Sequence, residues 1–209
     1  MSRLRDRQGG FTLIELLMGI ALSSIFALAL FSFFYAGVDS ARTSESQARA
    51  QADGRTAIDR FVRESRQAIS PNGGLTPPII ALSPTSVEMY VDPSRDATSK
   101  IPRPYKVRYS IVANQLIRDS AAPVGAVAPY SYGSYVRPEV LIEKLANGAT
   151  AAFSAAAGDG TALPATPNAV QLRDMAQMTI RLIVAQKTGN AASTLELTTD
   201  VSLRNAITI

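Results

Sequence analysis

The pattern of apolar positions divides the chain into three parts. The first part is an apolar run from Phe11 to Val38, and Glu15 is its only charged residue. A helix of about 20 apolar residues crosses a bilayer, whereas the apolar core of a cleaved secretory signal has only about 7–15 residues. The run therefore predicts a transmembrane helix over residues 11–38.

The helical pattern continues beyond the apolar run. Residues 39–69 contain no proline and are rich in alanine, arginine, glutamine and glutamate, all good helix formers. Four apolar residues share one face: Ile58, Phe61, Val62 and Ile69. Three pairs of opposite charge have i,i+4 spacing: Glu45/Arg49, Asp59/Arg63 and Arg60/Glu64. We predict one helix over residues 11–69, weakest at Gly54, which ends at the turn signal of residues 70–74.

The third part shows the alternation of strands and turns. It contains a strand at 86–91 and a hairpin at 105–118 that turns at Ala113-Asn114. Two strongly alternating strands follow, with these residues inward: Met178, Ile180, Leu182, Val184, Leu195, Leu197, Val201 and Leu203. We predict that residues 187–190 connect these two strands.

Other segments of the third part are less regular. Residues 120–135 and 147–168 are rich in alanine, glycine, proline and serine, which predicts long surface loops. Residues 138–145 fit either a strand or a short helix. Ile207 and Ile209 suggest a terminal strand. The fold class is therefore α+β, in which a long helix precedes a small antiparallel β domain over residues 70–209.

Composition excludes most kinds of enzyme. Hydrophobic residues make up 46% of the chain and charged residues 18%, which is enough apolar sequence for a core. The chain has no cysteine and no histidine. Disulfides, thiol catalysis, cysteine-zinc sites and a Ser-His-Asp triad are therefore impossible. We expect no catalytic residues, no cofactor and no metal site.

A short basic leader precedes the apolar run. It contains three arginines and one acid: Arg3, Arg5, Arg7 and Asp6. On the other side of the run, the first basic residue is Arg42. The positive-inside rule then places the amino terminus in the cytoplasm and the globular part on the other side of the cytoplasmic membrane.

The junction between the leader and the run reads Gly9-Gly10-Phe11-Thr12-Leu13-Ile14-Glu15. This motif, behind a basic leader, resembles the amino terminus of type IV pilins and of type II secretion pseudopilins. The resemblance implies a pilin-like lollipop fold. It implies cleavage by a prepilin peptidase between Gly10 and Phe11, which makes 1–10 a removed leader. It also implies N-methylation of Phe11.

Glu15 needs a physical reason to lie in an apolar run, because an unpaired carboxylate is unfavourable there. Cleavage would create an ammonium at Phe11, one helical turn away. Self-pairing within the helix is one interpretation. The resemblance implies instead that Glu15 meets the Phe11 amine of a neighbouring subunit during assembly. A third interpretation is that Glu15 reaches the lipid headgroups and has no specific partner.

Two further features bear on the subfamily. Major pilins commonly carry a proline within the apolar run, whereas the first proline here is Pro71. The hairpin sequences VRYSI and NQLIRD and the late Ser202-Leu203-Arg204-Asn205 resemble the J-type pseudopilins of type II secretion and the W-type minor pilins of type IV pili. The resemblance implies a minor pilin or pseudopilin at or near the tip.

Three candidate chemistries lie in the globular part. Tyrosines interleave with a basic stretch that could bind single-stranded DNA in a competence pilus: Arg95, Lys100, Arg103, Tyr105, Lys106, Arg108 and Tyr109. A solvated strand face is the alternative that we favour. Asp159, between two glycines, is a weak calcium candidate. The remaining acids form no glycosidase motif, and we expect them to be solvated.

Two hypotheses follow. The first is a structural subunit whose implied partners are other pilins or pseudopilins, the prepilin peptidase, the inner-membrane assembly platform and, before assembly, membrane lipid. The second is an uncleaved signal anchor that holds a periplasmic binding domain at the membrane. Loss of assembly in a Glu15→Ala variant would separate the first hypothesis from the second.

Overall fold

The computed structural model describes residues 11–72, 74–92, 103–125, 128–188 and 191–203. The chain forms two compact units, Met1–Glu45 and Ser46–Ile209. Helix α1, Leu13–Arg66, contributes residues to both of them. With the antiparallel sheets below, this helix confirms the predicted α+β fold class.

In the first unit, the described residues after Thr12 are entirely helical. Its large apolar side chains are exposed on all sides of the helix, from Phe11 to Tyr35. By length and composition this helix can cross a membrane. A helix that is apolar on every face has no solvated side, which is typical of a helix surrounded by lipid or by other helices.

The predicted helix end at Ile69 is wrong, because α1 ends at Arg66. The next residues pair with a strand instead of continuing the helix. Ala68 forms a β-bridge with Val91, and the Ile69 N–H donates to the Tyr90 carbonyl at 3.0 Å. Gln67 still donates to the Arg63 carbonyl at 3.1 Å and Ala68 to the Ser65 carbonyl at 3.2 Å, so Ile69 is the first residue whose N–H bonds to a strand instead of the helix.

The larger sheet of the second unit has five antiparallel strands in the order β1-β2-β3-β4-β7. Their bounds are β1 Ile79–Ser83, β2 Ser86–Val91, β3 Tyr105–Val112, β4 Gln115–Ala121 and β7 Val136–Ile142. The predicted strand at 86–91 and the predicted hairpin are confirmed. Residues 138–145, whose sequence fits either a strand or a short helix, belong mainly to β7.

The β3–β4 hairpin turns at the predicted residues. Ala113 and Asn114 both have positive φ, 49° and 62°. A type I′ turn requires positive φ at both central positions, since this twist matches that of the flanking strands. Asparagine adopts this conformation readily, whereas alanine is unusual there.

The smaller sheet has three antiparallel strands in the order β10-β9-β8. Their bounds are β8 Phe153–Ala157, β9 Met175–Thr188 and β10 Ala191–Ser202. The inward residues predicted on β9 are all buried, as are Val201 and Leu203, whereas Leu195 and Leu197 are half-buried. Lys187 and Thr188 belong to β9 and not to the predicted connection. Ile207 and Ile209 lie outside the described residues.

Neither predicted long loop is a simple surface loop. Residues 147–168 contain β8, and Phe153 within it is 1% exposed. Its sequence FSAAA lacks the β-branched residues that usually indicate a strand. Residues 120–135 contain a small ribbon of β5, Pro123–Val124, and β6, Ser131–Tyr132. A short helix, α2 Ala169–Arg173, precedes β9, and Asn168 caps it.

Within the second unit, α1 packs through a face that overlaps the predicted one, because Phe61 is buried and Ile58 and Val62 are partly buried against the core. The buried residues of α1 are Ala50, Gly54, Ala57, Phe61, Glu64 and Ser65. Phe61 is fully buried, and its ring centroid lies 5.2 Å from that of Tyr109 on β3 and 5.7 Å from that of Phe153 on β8. Phe61 therefore joins the helix to both sheets.

Gly54 has a packing role and is not merely a weak point of the helix. A Cβ atom at this position would overlap the Leu197 side chain of β10 and lie 3.7 Å from Val184 Cγ2 of β9. The absence of a side chain therefore lets the helix backbone approach the smaller sheet closely.

Candidate functional site

The sequence-predicted site lies at the start of α1, where Thr12 is the amino-terminal cap. The Thr12 carbonyl accepts hydrogen bonds from the backbone N–H groups of Glu15 and Leu16, both at 3.1 Å. Its hydroxyl oxygen also lies 3.4 Å from the Glu15 N–H. Thr12-Leu13-Ile14-Glu15 fits the T-x-x-E pattern of a capping box. The capping box was not among the predicted features, although its residues can be identified from the sequence alone.

Glu15 occupies the first turn of the helix, where a negative charge interacts favourably with the helix dipole. Its side chain is exposed and has no hydrogen bond or ion pair with any residue that the structure describes. Phe11, 83% exposed, precedes it by one turn. Gly10, the other half of the predicted cleavage site, lies outside the described residues.

Glu15 lies on a helix face that carries the small residues Gly19, Ser23 and Ala27 at four-residue spacing. A shallow groove along this face is formed by Phe11, Glu15, Leu16, Gly19, Ile20, Ser23, Ser24 and Ala27. A Cβ atom added to Gly19 would meet no atom within 4 Å. Small residues at four-residue spacing let a second helix approach closely in a membrane.

Two serine hydroxyl groups within the apolar part of α1 are satisfied locally. Ser24 donates to the Ile20 carbonyl at 2.8 Å, and Ser32 donates to the Leu28 carbonyl at 2.9 Å. These bonds to the preceding turn reduce the cost of placing a hydroxyl in hydrocarbon. Serine in this segment is therefore compatible with a membrane-spanning helix.

The basic stretch proposed for DNA binding is occupied by partners within the chain. Lys106 Nζ lies 3.1 Å from Glu88, and Arg108 Nη2 lies 2.8 Å from Asp119. The bond to Asp119 raises the pKa of Arg108. Arg103 donates to the Gly125 carbonyl at 2.9 Å. Arg95 and Lys100 lie outside the described residues.

The two aromatic residues of that stretch differ in exposure. Tyr109 is fully buried, so its ring offers no surface for base stacking, whereas Tyr105 is 40% exposed. The Tyr135 ring lies against the other face of the sheet, 4.3 Å from Arg108 Cζ and 5.1 Å from Lys106 Nζ. In the described part of this stretch, Lys106 and Arg108 are therefore neutralised by acids, and Arg103 is bound to a carbonyl.

Several acids that were expected to be solvated are paired. Asp119 is 7% exposed and binds Arg108. Glu196 lies 2.7 Å from Arg181 on the outer face of the smaller sheet, and Asp200 accepts a hydrogen bond from Thr179. The expectation of a solvated surface is therefore wrong for Asp119, whereas Glu196 and Asp200 are exposed as expected and also have these partners. Their neighbours on adjacent strands explain the pairing.

Asp159 shapes a turn. Its carboxylate accepts a hydrogen bond from the Thr161 N–H at 2.8 Å, and this bond lowers the pKa of Asp159. Within the described ranges, no group of three or more acids could hold a metal ion. Asp159 is the acid of an Asx turn, which needs no ion to form.

The strongest polar cluster in the second unit was not foreseen. Glu64 of α1 is 8% exposed, and its carboxylate accepts hydrogen bonds from the Tyr109 hydroxyl at 2.8 Å and from Arg118 Nε at 3.0 Å. Arg60 lies 3.4 Å from Glu64 and 2.6 Å from Glu139 of β7. The predicted Arg60/Glu64 pair is confirmed. Arg118 and Tyr109 are the more important partners of Glu64, because they come from the sheet.

This cluster raises the pKa of two of its members. Burial, followed by the Glu64 carboxylate, raises the pKa of the Tyr109 hydroxyl well above its ordinary value. Burial lowers the pKa of Arg60, but the hydrogen bond to Glu139 and the charges of Glu139 and Glu64 together outweigh burial and raise this pKa. The two arginines and the two carboxylates balance in charge, so the cluster ties the helix to the sheet without a net charge.

A comparison with known proteins matches the amino-terminal segment. The family model described as the prokaryotic N-terminal methylation motif matches residues 5–31. No curated protein matches the chain. The matched segment contains Phe11, Glu15 and the first half of the apolar helix. The leader is thus of the type IV pilin kind, which supports a pilin-like subunit that is anchored in a membrane and assembled with others.

Proposed function

We propose that the chain is a minor pilin or pseudopilin. After cleavage between Gly10 and Phe11 and N-methylation of Phe11, it assembles through its apolar helix into a type IV pilus or a type II secretion pseudopilus. The observation that carries this proposal is the matched methylation motif, which is joined directly to an apolar helix with one acid in its first turn.

The pairing partner that we propose for Glu15 is the Phe11 amine of a neighbouring subunit. Glu15 is exposed and is without a side-chain partner among the described residues. Helix packing would remove both groups from water, and a buried carboxylate requires a counter-charge. Such a pair would also fix the axial position of one helix against the next. The small residues beside Glu15 support this close approach.

The proposed membrane orientation follows the charge bias. Three arginines precede the apolar run within ten residues, whereas Arg42 is the first basic residue after it. This bias supports a cytoplasmic amino terminus, where a prepilin peptidase and an assembly platform would meet the chain. Other pilins or pseudopilins would then be its partners along the helix.

A minor role, at or near the tip, is the more specific part of the proposal. Helix α1 continues from Leu13 to Arg66 without proline, unlike the apolar run of major pilins. Two of the three described cations of the basic stretch, Lys106 and Arg108, are paired with acids, which leaves DNA uptake with little support.

A second candidate function is an uncleaved anchor for a binding domain. One observation favours it: Glu15 is in the first turn of a helix capped by Thr12, so the helix start alone can stabilise its charge. This candidate predicts that membrane insertion and activity survive both an intact leader and a Glu15→Ala substitution.

Mass spectrometry of the purified chain tests the proposal. Coexpression with a prepilin peptidase is expected to yield a protein that begins at methylated Phe11. A Gly10→Leu variant, made in the same cells, is expected to retain residues 1–10 and supplies the control. Wild-type protein that keeps its leader in the presence of an active peptidase would support the anchor instead.

A further inference from the structure

A cavity of about 430 Å³ lies between the end of α1 and the larger sheet, entirely within the second unit. Its lining comprises Arg63, Glu64, Gln67, Val91, Tyr105, Val107, Arg118 and Ser120. We propose that this cavity binds an acidic peptide segment of a partner protein, in which a large apolar side chain is adjacent to a carboxylate. This inference goes beyond the proposed function and does not depend on leader cleavage.

Two almost completely buried valines lie in the lining of the cavity. Val91 and Val107 are 3% and 1% exposed, and they come from neighbouring strands of the same sheet face. Tyr105, opposite Val91 in the strand register, is 40% exposed and contributes an aromatic wall. The exposed Tyr105 ring is therefore the main apolar surface that a ligand side chain would contact.

The charges of the cavity favour a monoanion. The positive charge of Arg118 is matched by Glu64, which lies 2.9 Å away. Arg63 is exposed and forms no ion pair within the ranges that the structure describes, including none with Asp59. The lining therefore carries one unmatched positive charge. A single carboxylate matches it, whereas a phosphate dianion would bring one negative charge that the lining does not match.

The size and the polar groups favour a peptide over a compact cofactor. About 430 Å³ is near the lower end of the range for ligand pockets, enough for one large side chain and a carboxylate. Gln67 and Ser120 supply an amide and a hydroxyl at the same cavity, and both can bond to a peptide backbone. Recognition of acidic motifs by arginines is a recurring mode of peptide binding.

The test uses the full chain in lipid nanodiscs, with ¹³C-labelled valine methyl groups observed by NMR. The probes are the peptides acetyl-Phe-Glu-Ala-amide and acetyl-Phe-Gln-Ala-amide, which differ only in charge. We expect saturable shifts of the Val91 and Val107 signals with the acidic peptide. We expect affinity for the neutral peptide to be about tenfold weaker.

A matched pair of variants tests whether Arg63 supplies the positive charge that binds the peptide carboxylate. Arg63→Gln should weaken binding of the acidic peptide about tenfold and leave the neutral peptide unaffected. Arg66→Gln, an equal charge change on an exposed residue of the same helix that does not line the cavity, should have little effect. Both side chains are exposed, so neither change should unfold the second unit.

Three results would overturn the proposal. The first is an absence of saturable shifts at Val91 and Val107. The second is equal binding of the two peptides, or equal loss in the two variants. The third is displacement of the acidic peptide by octanoate at the same concentration, which would identify the cavity as a site for free carboxylates and not for peptides.

Discussion

Glu64 of α1 and Arg118 of β4 meet at 2.9 Å, and their side chains are only 11% and 14% exposed. The two residues are 54 positions apart in sequence. This ion pair, with the Tyr109 hydroxyl bound to the same carboxylate, fastens the end of the long helix to the middle of the larger sheet.

Removal of the Glu64 charge is therefore expected to destabilise the second unit. Glu64→Gln leaves the Arg118 guanidinium largely buried without its counter-charge, and we expect a loss of about 3 kcal/mol in the free energy of unfolding. Urea denaturation of the full chain in a mild detergent, followed by near-ultraviolet tyrosine dichroism, measures it. Asp59→Asn, an exposed acid on the same helix, is the control.

A double variant tests whether the loss comes from this pair. Glu64→Gln combined with Arg118→Gln should be less unstable than the sum of the two single changes, because no unpaired charge remains. Strict additivity would mean that the two side chains act independently.

Gly54 is expected to tolerate no large side chain. Gly54→Leu places atoms where Leu197 and Val184 already pack, and we expect a loss of about 2 kcal/mol from overpacking, despite the better helix propensity of leucine. The same urea titration measures the loss. Gly37→Leu is the matched control, because an added Cβ there meets nothing within 4 Å. Equal midpoints for the two variants would contradict the close helix-sheet contact.

Alkaline pH is expected to destabilise the second unit through Tyr109. Its pKa is raised in the folded chain, so the unfolded chain loses this proton first, near its ordinary pKa of about 10. The stabilisation is complete below pH 10 and declines above it, by up to about 1.4 kcal/mol per pH unit. Tyr132, whose pKa burial raises to about 12, contributes in the same direction between pH 10 and 12.

Urea titrations between pH 7 and 12 measure this decline. Tyr109→Phe should be less stable at pH 7 by about 2 kcal/mol, since it loses a hydrogen bond to a carboxylate. It should also show a shallower decline above pH 10. An identical alkaline slope in the variant and the wild type would exclude Tyr109 as the source.

Arg108 is expected to contribute to the stability of the second unit and not to DNA binding. Arg108→Gln leaves Asp119, 7% exposed, without its partner, and we expect a loss of about 2 kcal/mol. If the chain binds single-stranded DNA, the affinity of the variant should depend on salt concentration as strongly as that of the wild type. A filter-binding assay at several salt concentrations checks this. A reduced salt slope in the variant would restore the DNA-binding interpretation.

Local patterns predicted much of the fold. The β3–β4 hairpin followed from alternation around Ala113-Asn114, and β9 followed from its regularly spaced apolar residues. The alanine-rich strand β8 was missed because small residues carry little strand signal, and its burial depends on Phe61 from a distant helix.

The two candidate sites differ in how far the sequence could reveal them. Glu15 was identified because one charge in an apolar run is conspicuous in any sequence. Glu64 was recognised only as an i,i+4 partner of Arg60, since helical spacing reveals neighbours on one helix alone. Its bonds to Tyr109 and Arg118 depend on how the sheet docks, which no local pattern specifies.

A density map of the assembled filament can show whether Glu15 meets the Phe11 amine of a neighbouring subunit. We expect the Glu15 carboxylate within about 4 Å of a methylated Phe11 nitrogen from an adjoining chain. A map in which that carboxylate faces lipid or solvent, or in which the leader is still attached, would rule out this pairing.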